Sequence, residues 1–296
     1  MSKRHPARGS EARWALVFLL PALVGLGLFN AVPTIHSFYL SFTRWNFLGT
    51  PRFVGLENYR DLFADSLFYQ VLGQTLLYAT ATVVGEVVLA LGLALLLARP
   101  LKGMAVFRTA FFLPVVTSLV AVAILWGWIY DPQLGVLNWA LGKLGVAPIA
   151  WLSEPGWAMA AVVILSIWKG LGYNVILLLA GLSAIPTQYE EAAMVDGANG
   201  FQRLASVTLP LLAPTLFLVI TVALINAFQA FDAIYMLTGG GPANATNVMV
   251  FWLYKQAFQY YHVGKASAIA YVLFAIVLAV TWAQWRVRKQ WVHLES

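Results

Sequence analysis

The stretch that decides the fold lies in the first third of the chain, where residues 71–98 read VLGQTLLYATATVVGEVVLALGLALLLA. These residues carry a single charged side chain, Glu86, and they exceed the roughly 20 apolar residues that a membrane-spanning helix needs. The whole chain has the same character, because 61% of its 296 residues are apolar and only 10% are charged. Soluble domains average about 25% charged residues. The composition therefore excludes a soluble enzyme, a disordered chain and a nucleic-acid binder.

Five further apolar stretches predict an all-α membrane protein with six transmembrane helices in a single membrane domain, residues 1–296. Tryptophan and tyrosine lie near many of their ends, where amphipathic rings favour the headgroup layer. The first stretch follows basic residues, as a signal peptide would, but it is long for one and five more spans follow it. The predicted spans are approximately Trp14–Val32, Val71–Ala98, Val106–Tyr130, Trp157–Leu182, Thr215–Met236 and Ala266–Trp285.

The distribution of lysine and arginine predicts that both termini are cytoplasmic. With that orientation, 11 basic residues fall in the inner segments and at the inner helix ends, and six fall in the longer outer loops. The remaining basic residue, Lys169, lies inside the fourth span.

Catalytic signatures are missing from the sequence. No lysine follows a P-loop pattern, no Gly-x-Ser-x-Gly segment occurs, and the four histidines do not have metal-ligand spacing. Cysteine is absent. We therefore predict that the chain is not an enzyme and holds no metal or cofactor of its own.

The loop between the fourth and fifth spans carries the strongest local signals. Residues 185–210 read IPTQYEEAAMVDGANGFQRLASVTLP. The pattern predicts a short helix in which Thr187 and Glu190 form a capping box, and Gly197 is placed to end that helix. A second short helix is predicted from about Phe201 towards Pro210. One interpretation is an amphipathic hairpin that lies on the membrane.

The spacing of this loop resembles the EAA loop of ABC importer permeases. Glu191-Ala192-Ala193 is followed after three residues by Gly197, and Leu209-Pro210 ends the pattern, with Val207 at the position where isoleucine is usual. The resemblance implies that residues 187–210 form a cytoplasmic coupling loop that docks into a cleft on an ATPase subunit. The residues to which it assigns this contact are Glu190, Glu191, Ala192, Ala193, Asp196, Gly197, Leu209 and Pro210.

Three other segments resemble the sugar-type permeases, and in particular the first permease of the pair, of maltose, lactose or glycerol-3-phosphate type. They are Phe42–Asn46, Trp168–Asn174 and Phe231–Pro242. The resemblance implies a type I permease fold in the bacterial cytoplasmic membrane and import of a sugar or related polyol. It also implies four kinds of partner: a second permease in a heterodimer, two ATPase subunits that hold ATP and Mg, an external solute-binding protein, and the sugar.

An ionisable side chain within a span costs about 2.5–3.5 kcal/mol on insertion scales, so each one is expected to have a structural partner or a functional role. Thr75, Tyr78 and Thr82 share a helix face with Glu86, so this face must point to the bundle or to a cavity. One interpretation pairs Glu86 with Lys169 as an intramembrane ion pair. The other places one of the two on the substrate path.

A candidate substrate path combines an aromatic face, planar amides and a carboxylate, which are the groups that bind sugars. The alternative is hydrogen bonding between helices, at about 1 kcal/mol each. In maltose-type relatives asparagines occupy positions where this chain has Ala227 and Ala230. The candidate residues are Tyr173, Asn174, Asn226, Gln229 and Asp232.

A second functional class also fits a polytopic membrane protein, namely an ion-coupled secondary transporter for a small polar solute. In that case Glu86 and Asp232 would be proton or sodium sites. This class leaves the spacing of the loop at 187–210 unexplained.

Overall fold

The structure of the protein is a computed structural model that describes residues 8–98 and 104–291. Within these ranges five helices are long and apolar enough to cross a membrane, and a bent helix pair makes a sixth span if it is counted as one. The all-α membrane fold is thereby confirmed. Four basic residues that contribute to the predicted orientation lie outside the described residues: Lys3, Arg4, Arg99 and Lys102.

The elements follow one another in this order: α1 (Arg8–Leu26), α2 (Val32–Ser41), β1 (Thr43–Arg44), β2 (Arg52–Phe53), α3 (Glu57–Ala64), α4 (Ser66–Leu97), α5 (Met104–Val116), α6 (Leu119–Ile129), α7 (Val136–Gly142), α8 (Pro155–Ser183), α9 (Thr187–Val195), α10 (Gly200–Arg203), α11 (Leu209–Phe228), α12 (Asp232–Leu237), α13 (Met249–Tyr254) and α14 (Val263–Trp291). Three π-helical turns lie at Gly27–Ala31, Leu204–Thr208 and Lys255–Gln259.

Two of these π-helical turns end two residues before a proline, and the helix continues through that proline. Proline lacks the N–H that an α-helix needs, and its ring crowds the preceding turn. At Pro33 and Pro210 the wider turn absorbs this defect. The first span is therefore helical from Trp14 to Ser41, well beyond its predicted end at Val32.

The third predicted span is broken. α5 and α6 meet at an angle of 110° around Thr117 and Ser118. Pro114 lies in the last turn of α5, and Ser118 leaves the helical conformation with a ψ of 130°. The fifth predicted span is also interrupted, because α11 ends at Phe228 and α12 begins at Asp232.

The chain forms two compact units. In the larger unit, Asp65–Tyr254 with Val272–Ser296, α4 packs along α8 and both pack against α11. Small side chains on α4, Ala90 and Ala94, are fully buried and allow this close approach.

The smaller unit, Met1–Ala64 with Lys255–Tyr271, contains the antiparallel pair β1–β2 and α3. The Asn58 side chain holds the end of α2 in place, because its Nδ2 donates to the backbone oxygens of Ser41 and Thr43, each at 2.8 Å.

Candidate functional site

A cavity of about 610 Å³ opens among the helices of the larger unit. α4, α8 and α11 form its walls, and α12 with the segment before it closes one end. All five candidate substrate-path residues lie on its lining, and so do both members of the suggested ion pair. The polar and charged residues of the lining are Tyr78, Thr82, Glu86, Ser166, Lys169, Tyr173, Asn174, Asn226, Gln229 and Asp232.

The polar face of α4 is buried in the bundle, as its spacing predicts. Thr75, Tyr78, Thr82 and Glu86 are each at most 8% exposed. Tyr78 donates its hydroxyl to Ser166 Oγ at 2.8 Å, and Glu86 Oε2 accepts from Asn174 Nδ2 at 2.9 Å. Tyr78 and Glu86 thus have partners on α8, and Thr75 Oγ1 donates to the backbone oxygen of Val71 and accepts from the N–H of Met249. These bonds offset the cost of removing the groups from water.

The suggested ion pair between Glu86 and Lys169 is wrong. Glu86 and Lys169 do not form an ion pair within 4.0 Å in the described part of the chain, whereas Arg44 and Glu57 do. Lys169 Nζ instead donates to three backbone oxygens at the break of the third span: Pro114, Val115 at 3.2 Å and Thr117 at 2.5 Å. The end of a helix leaves carbonyl groups without intrahelical partners, and in an apolar setting a cation is a strong donor for them.

Two glycines bring the helices around the cavity into close contact. A Cβ at Gly170 would overlap the Glu86 carboxylate, and a Cβ at Gly172 would overlap the backbone oxygen of Phe111 on α5. Both glycines lie within α8, which remains helical through them. They therefore serve close approach and do not break the helix.

The remaining candidate residues face the open side of the cavity. Asn226 lies in the last turn of α11, Gln229 follows that helix, and Asp232 begins α12, and all three are exposed. Tyr173 on α8 is 43% exposed. The site thus combines a buried, hydrogen-bonded wall with an open wall whose amides and carboxylate are free to bind a solute.

The loop between α8 and α11 has the glycine turn that its sequence predicts. α9 ends at Val195, and Gly197 follows with a φ of +80°, a conformation that glycine adopts without strain. Gly197 N–H donates to the oxygen of Met194, and Ala198 N–H donates to the oxygen of Ala193. This pair of bonds is the Schellman arrangement, which satisfies the free carbonyls of the helix end.

The predicted capping box at Thr187 and Glu190 is wrong. Pro186 occupies the N-cap position of α9, and no side chain caps it. Thr187 is already the first helical residue and therefore cannot serve as the cap. A complete capping box occurs instead at the next helix, where Asn199 and Gln202 bond each other's backbone N–H groups at 3.0 and 2.8 Å. The spacing Asn-x-x-Gln is a sequence signature of a capping box, and it could have predicted this one.

The second short helix of the loop does not stop near Pro210 as predicted. It continues from Gly200 to Phe228 as one helical stretch, because the π-helical turn Leu204–Thr208 carries it past the proline. Leu209 and Pro210 therefore begin α11, and the loop is joined to the wall that carries Asn226.

Comparison with known proteins identifies the family of this chain. Residues 86–289 match the family described as "Binding-protein-dependent transport system inner membrane component". The chain belongs to this family. Its members are inner membrane components of transport systems, so the protein is a membrane permease subunit and not an ATP-hydrolysing enzyme. This membership decides against a self-sufficient ion-driven carrier.

Relatives of almost the same length support the assignment. The probable ABC transporter permease protein YurN of Bacillus subtilis is 40% identical over 273 residues, which cover 90% of this chain and 93% of the relative. The trehalose/maltose transport system permease protein MalF of Thermococcus litoralis is 38% identical over 275 residues, which cover 92% of each chain.

A solved structure shares the fold. A chain in the crystal structure of a bacterial alginate ABC transporter, in complex with an alginate pentasaccharide-bound periplasmic protein, superposes with a TM-score of 0.84 at 22% identity. The match covers 99% of this chain and 100% of that one. The permease fold expected from the sequence is thereby confirmed.

Proposed function

We propose that the protein is the membrane permease of an ATP-driven importer that moves a sugar or related polyol into the cytoplasm. The MalF relative is named for trehalose and maltose, and its similarity extends over 92% of this chain. The cavity offers the groups that sugars require, since Tyr173 provides an aromatic face and Asn226 and Gln229 provide planar amides.

The open side of the cavity supports a heterodimer with a second, related permease. Asn226, Gln229 and Asp232 are exposed in the isolated chain, although a solute in transit must be enclosed on all sides. A second permease would supply the missing wall. Two ATPase subunits, which bind ATP and Mg, and an external solute-binding protein complete the assembly that we propose.

The loop 187–210 is proposed to couple this permease to the ATPase subunits on the cytoplasmic side. Apolar side chains project from it, with Val195 at 88% and Phe201 at 77% exposure, as expected for a surface that a partner covers. The acidic residues of α9, Glu190 and Glu191, are exposed beside them and are available as polar anchors.

One observation carries the mechanism: the second part of the coupling loop, from Gly200 onward, and the cavity wall that carries Asn226 belong to one helical stretch, Gly200–Phe228. A displacement of the loop by nucleotide-driven movement of the ATPase subunits is therefore transmitted to Asn226. Such movement would change access to the cavity from one side of the membrane to the other, as alternating access requires.

The experiment that tests this function measures sugar uptake and binding-protein-stimulated ATPase activity in the same proteoliposomes. Asn226→Ala and Gln229→Ala should lower uptake and leave the stimulated ATPase activity unchanged, because they remove contacts to the solute and spare the coupling loop. Leu218→Ala, which truncates an exposed side chain on the same helix, is the matched control. If uptake and ATPase activity fall together, these residues hold the helices in place and do not bind the solute.

A further inference from the structure

Among the described residues, three charged side chains line the cavity, and they set the charge of the wall that this chain contributes. They are Glu86, Lys169 and Asp232. Two carboxyl groups thus face one ammonium group. With Lys169 charged, the formal charge of this chain's wall is negative when both carboxyl groups are ionised and zero when one of them is ionised.

The ammonium group of Lys169 is already occupied. It has three hydrogens to donate, and the structure gives it three backbone acceptors, on Pro114, Val115 and Thr117. These oxygens belong to the end of α5, which is also the negative end of that helix dipole. A solute anion would have to displace them and would leave carbonyl groups without partners.

The two carboxyl groups have fewer hydrogen-bond partners than Lys169. Among the described residues, Glu86 accepts one hydrogen bond, from Asn174 to its Oε2. Its other carboxylate oxygen, Oε1, lies close to the backbone of Gly170, which has no side chain. Asp232 is exposed and, among the described residues, forms no hydrogen bond or ion pair. It also occupies the first turn of α12, where backbone N–H groups would otherwise attract an anion.

Helix ends change this balance little. Leu119, at the start of α6, lies on the lining, and a helix N-terminus contributes roughly half a positive charge. Asn226 and Ala227, at the end of α11, lie there too, and a C-terminus contributes roughly half a negative charge. Val115 at the end of α5 and Ala233 in the first turn of α12 also lie on the lining. Two N-termini and two C-termini therefore cancel, and the carboxyl groups decide the sign.

We propose that this cavity admits sugars without negative charge, that is, neutral or amino sugars, and rejects uronates and sugar phosphates. This inference rests on the proposed function and names the substrate class of the same site. Hydroxyl groups of a neutral sugar can donate to Glu86 and Asp232, and an amine can do so more strongly. A carboxylate or phosphate would meet like charge in a confined, partly desolvated space.

The first test is uptake by the complete importer, reconstituted with its binding protein, for neutral sugars (maltose, trehalose), an amino sugar (glucosamine) and acidic sugars (glucuronate, galacturonate, glucose 6-phosphate). Uptake confined to the neutral or amino sugars supports the inference. Uptake of an acidic sugar overturns it and leaves the proposed function intact. Absence of uptake for every sugar overturns the proposed function and this inference with it.

The second test isolates the cavity from the binding protein. Saturation-transfer NMR on the purified permease–ATPase complex compares binding of glucose with that of glucuronate. Asp232→Asn should raise the ratio of acid to neutral binding about tenfold, because it removes one like charge from the site. Asp61→Asn makes the same charge change on an exposed residue that does not line this cavity, and it should leave the ratio unchanged. An unchanged ratio in Asp232→Asn contradicts the inference.

Discussion

The coupling loop and the buried wall of the cavity are each held by hydrogen bonds, but these bonds join residues at very different separations along the chain. In the loop, the bonds that fix Gly197 and Asn199 join residues three to five positions apart. In the cavity wall, the bond from Asn174 to Glu86 joins residues 88 positions apart, and those from Lys169 span 52 to 55. Local bonds can be predicted from spacing, whereas distant ones depend on how the helices pack.

The difference also separates two kinds of mutational effect. Changes in the loop should affect how transport is driven, because the loop is exposed and makes few contacts within the chain. Changes in the buried wall of the cavity should affect whether the helices assemble, because Glu86 and Lys169 are hydrogen-bonded to neighbouring helices. Four substitutions test this separation, in order of expected effect.

The largest effect is expected from Gly197→Pro, which should abolish uptake. Gly197 has a φ of +80°, whereas proline requires about −65°, and proline also lacks the N–H that bonds to Met194. The turn would be lost and the ATPase subunits would detach, while the membrane helices still assemble. Uptake by proteoliposomes, with co-purification of the ATPase, measures both effects.

Gly200→Ala is the matched control for that substitution. Gly200 is the first residue of α10, its φ is not positive, and a Cβ there would contact nothing within 4 Å. Normal uptake by Gly197→Pro at wild-type expression would contradict the coupling role of the loop.

Gly172→Ala should destabilise the assembled helices by about 3 kcal/mol, the upper end of the range for overpacking. The added Cβ would overlap a backbone oxygen, that of Phe111, which no side-chain rotation can move aside. The thermal midpoint of the detergent-purified complex is the measurement. Gly73→Ala on α4 is the control, since a Cβ there is free of contacts; equal midpoints for the two variants would show that α5 does not pack on α8 as described.

Lys169→Met should cost about 2 kcal/mol, because it removes a charged donor from three carbonyl groups at the break between α5 and α6, of which the Pro114 oxygen keeps a bond from the N–H of Thr117. Glu86→Gln should cost less, since the amide oxygen can still accept from Asn174. The double variant should show the sum of the two effects in thermal midpoint, because the residues share no partner. Recovery of stability in the double variant would mean that the two side chains form an ion pair after all.

The smallest effect is expected from Asn199→Ala, about 1 kcal/mol on the local stability of α10, the usual cost of removing an N-cap. Hydrogen exchange of the amides that follow Asn199 measures it. Thr187→Ala is the comparison, because Thr187 caps nothing in the structure and its replacement should leave the exchange of α9 unchanged. Faster exchange in α9 would restore the capping box that the sequence predicted there.

The sequence by itself determined the membrane fold, the buried polar face of α4 and the glycine turn at Gly197. Each depends on hydrophobicity or on bonds within about one helical turn, and these are properties of a short stretch of residues. The candidate substrate-path residues predicted from the sequence all line the cavity, because a polar side chain in an apolar span is stable only away from lipid. Their role in binding a solute stays a prediction.

Only the tertiary structure decided the partners of those polar residues. Lys169 bonds to the end of α5 because Gly172 lets α5 pack directly on α8, and because the break at Thr117 frees carbonyl groups there. The helices continue past Pro33 and Pro210 because π-helical turns absorb the missing bonds. Breaks, close approaches and choices among partners depend on which helices become neighbours, and the spacing of residues along one helix does not contain that information.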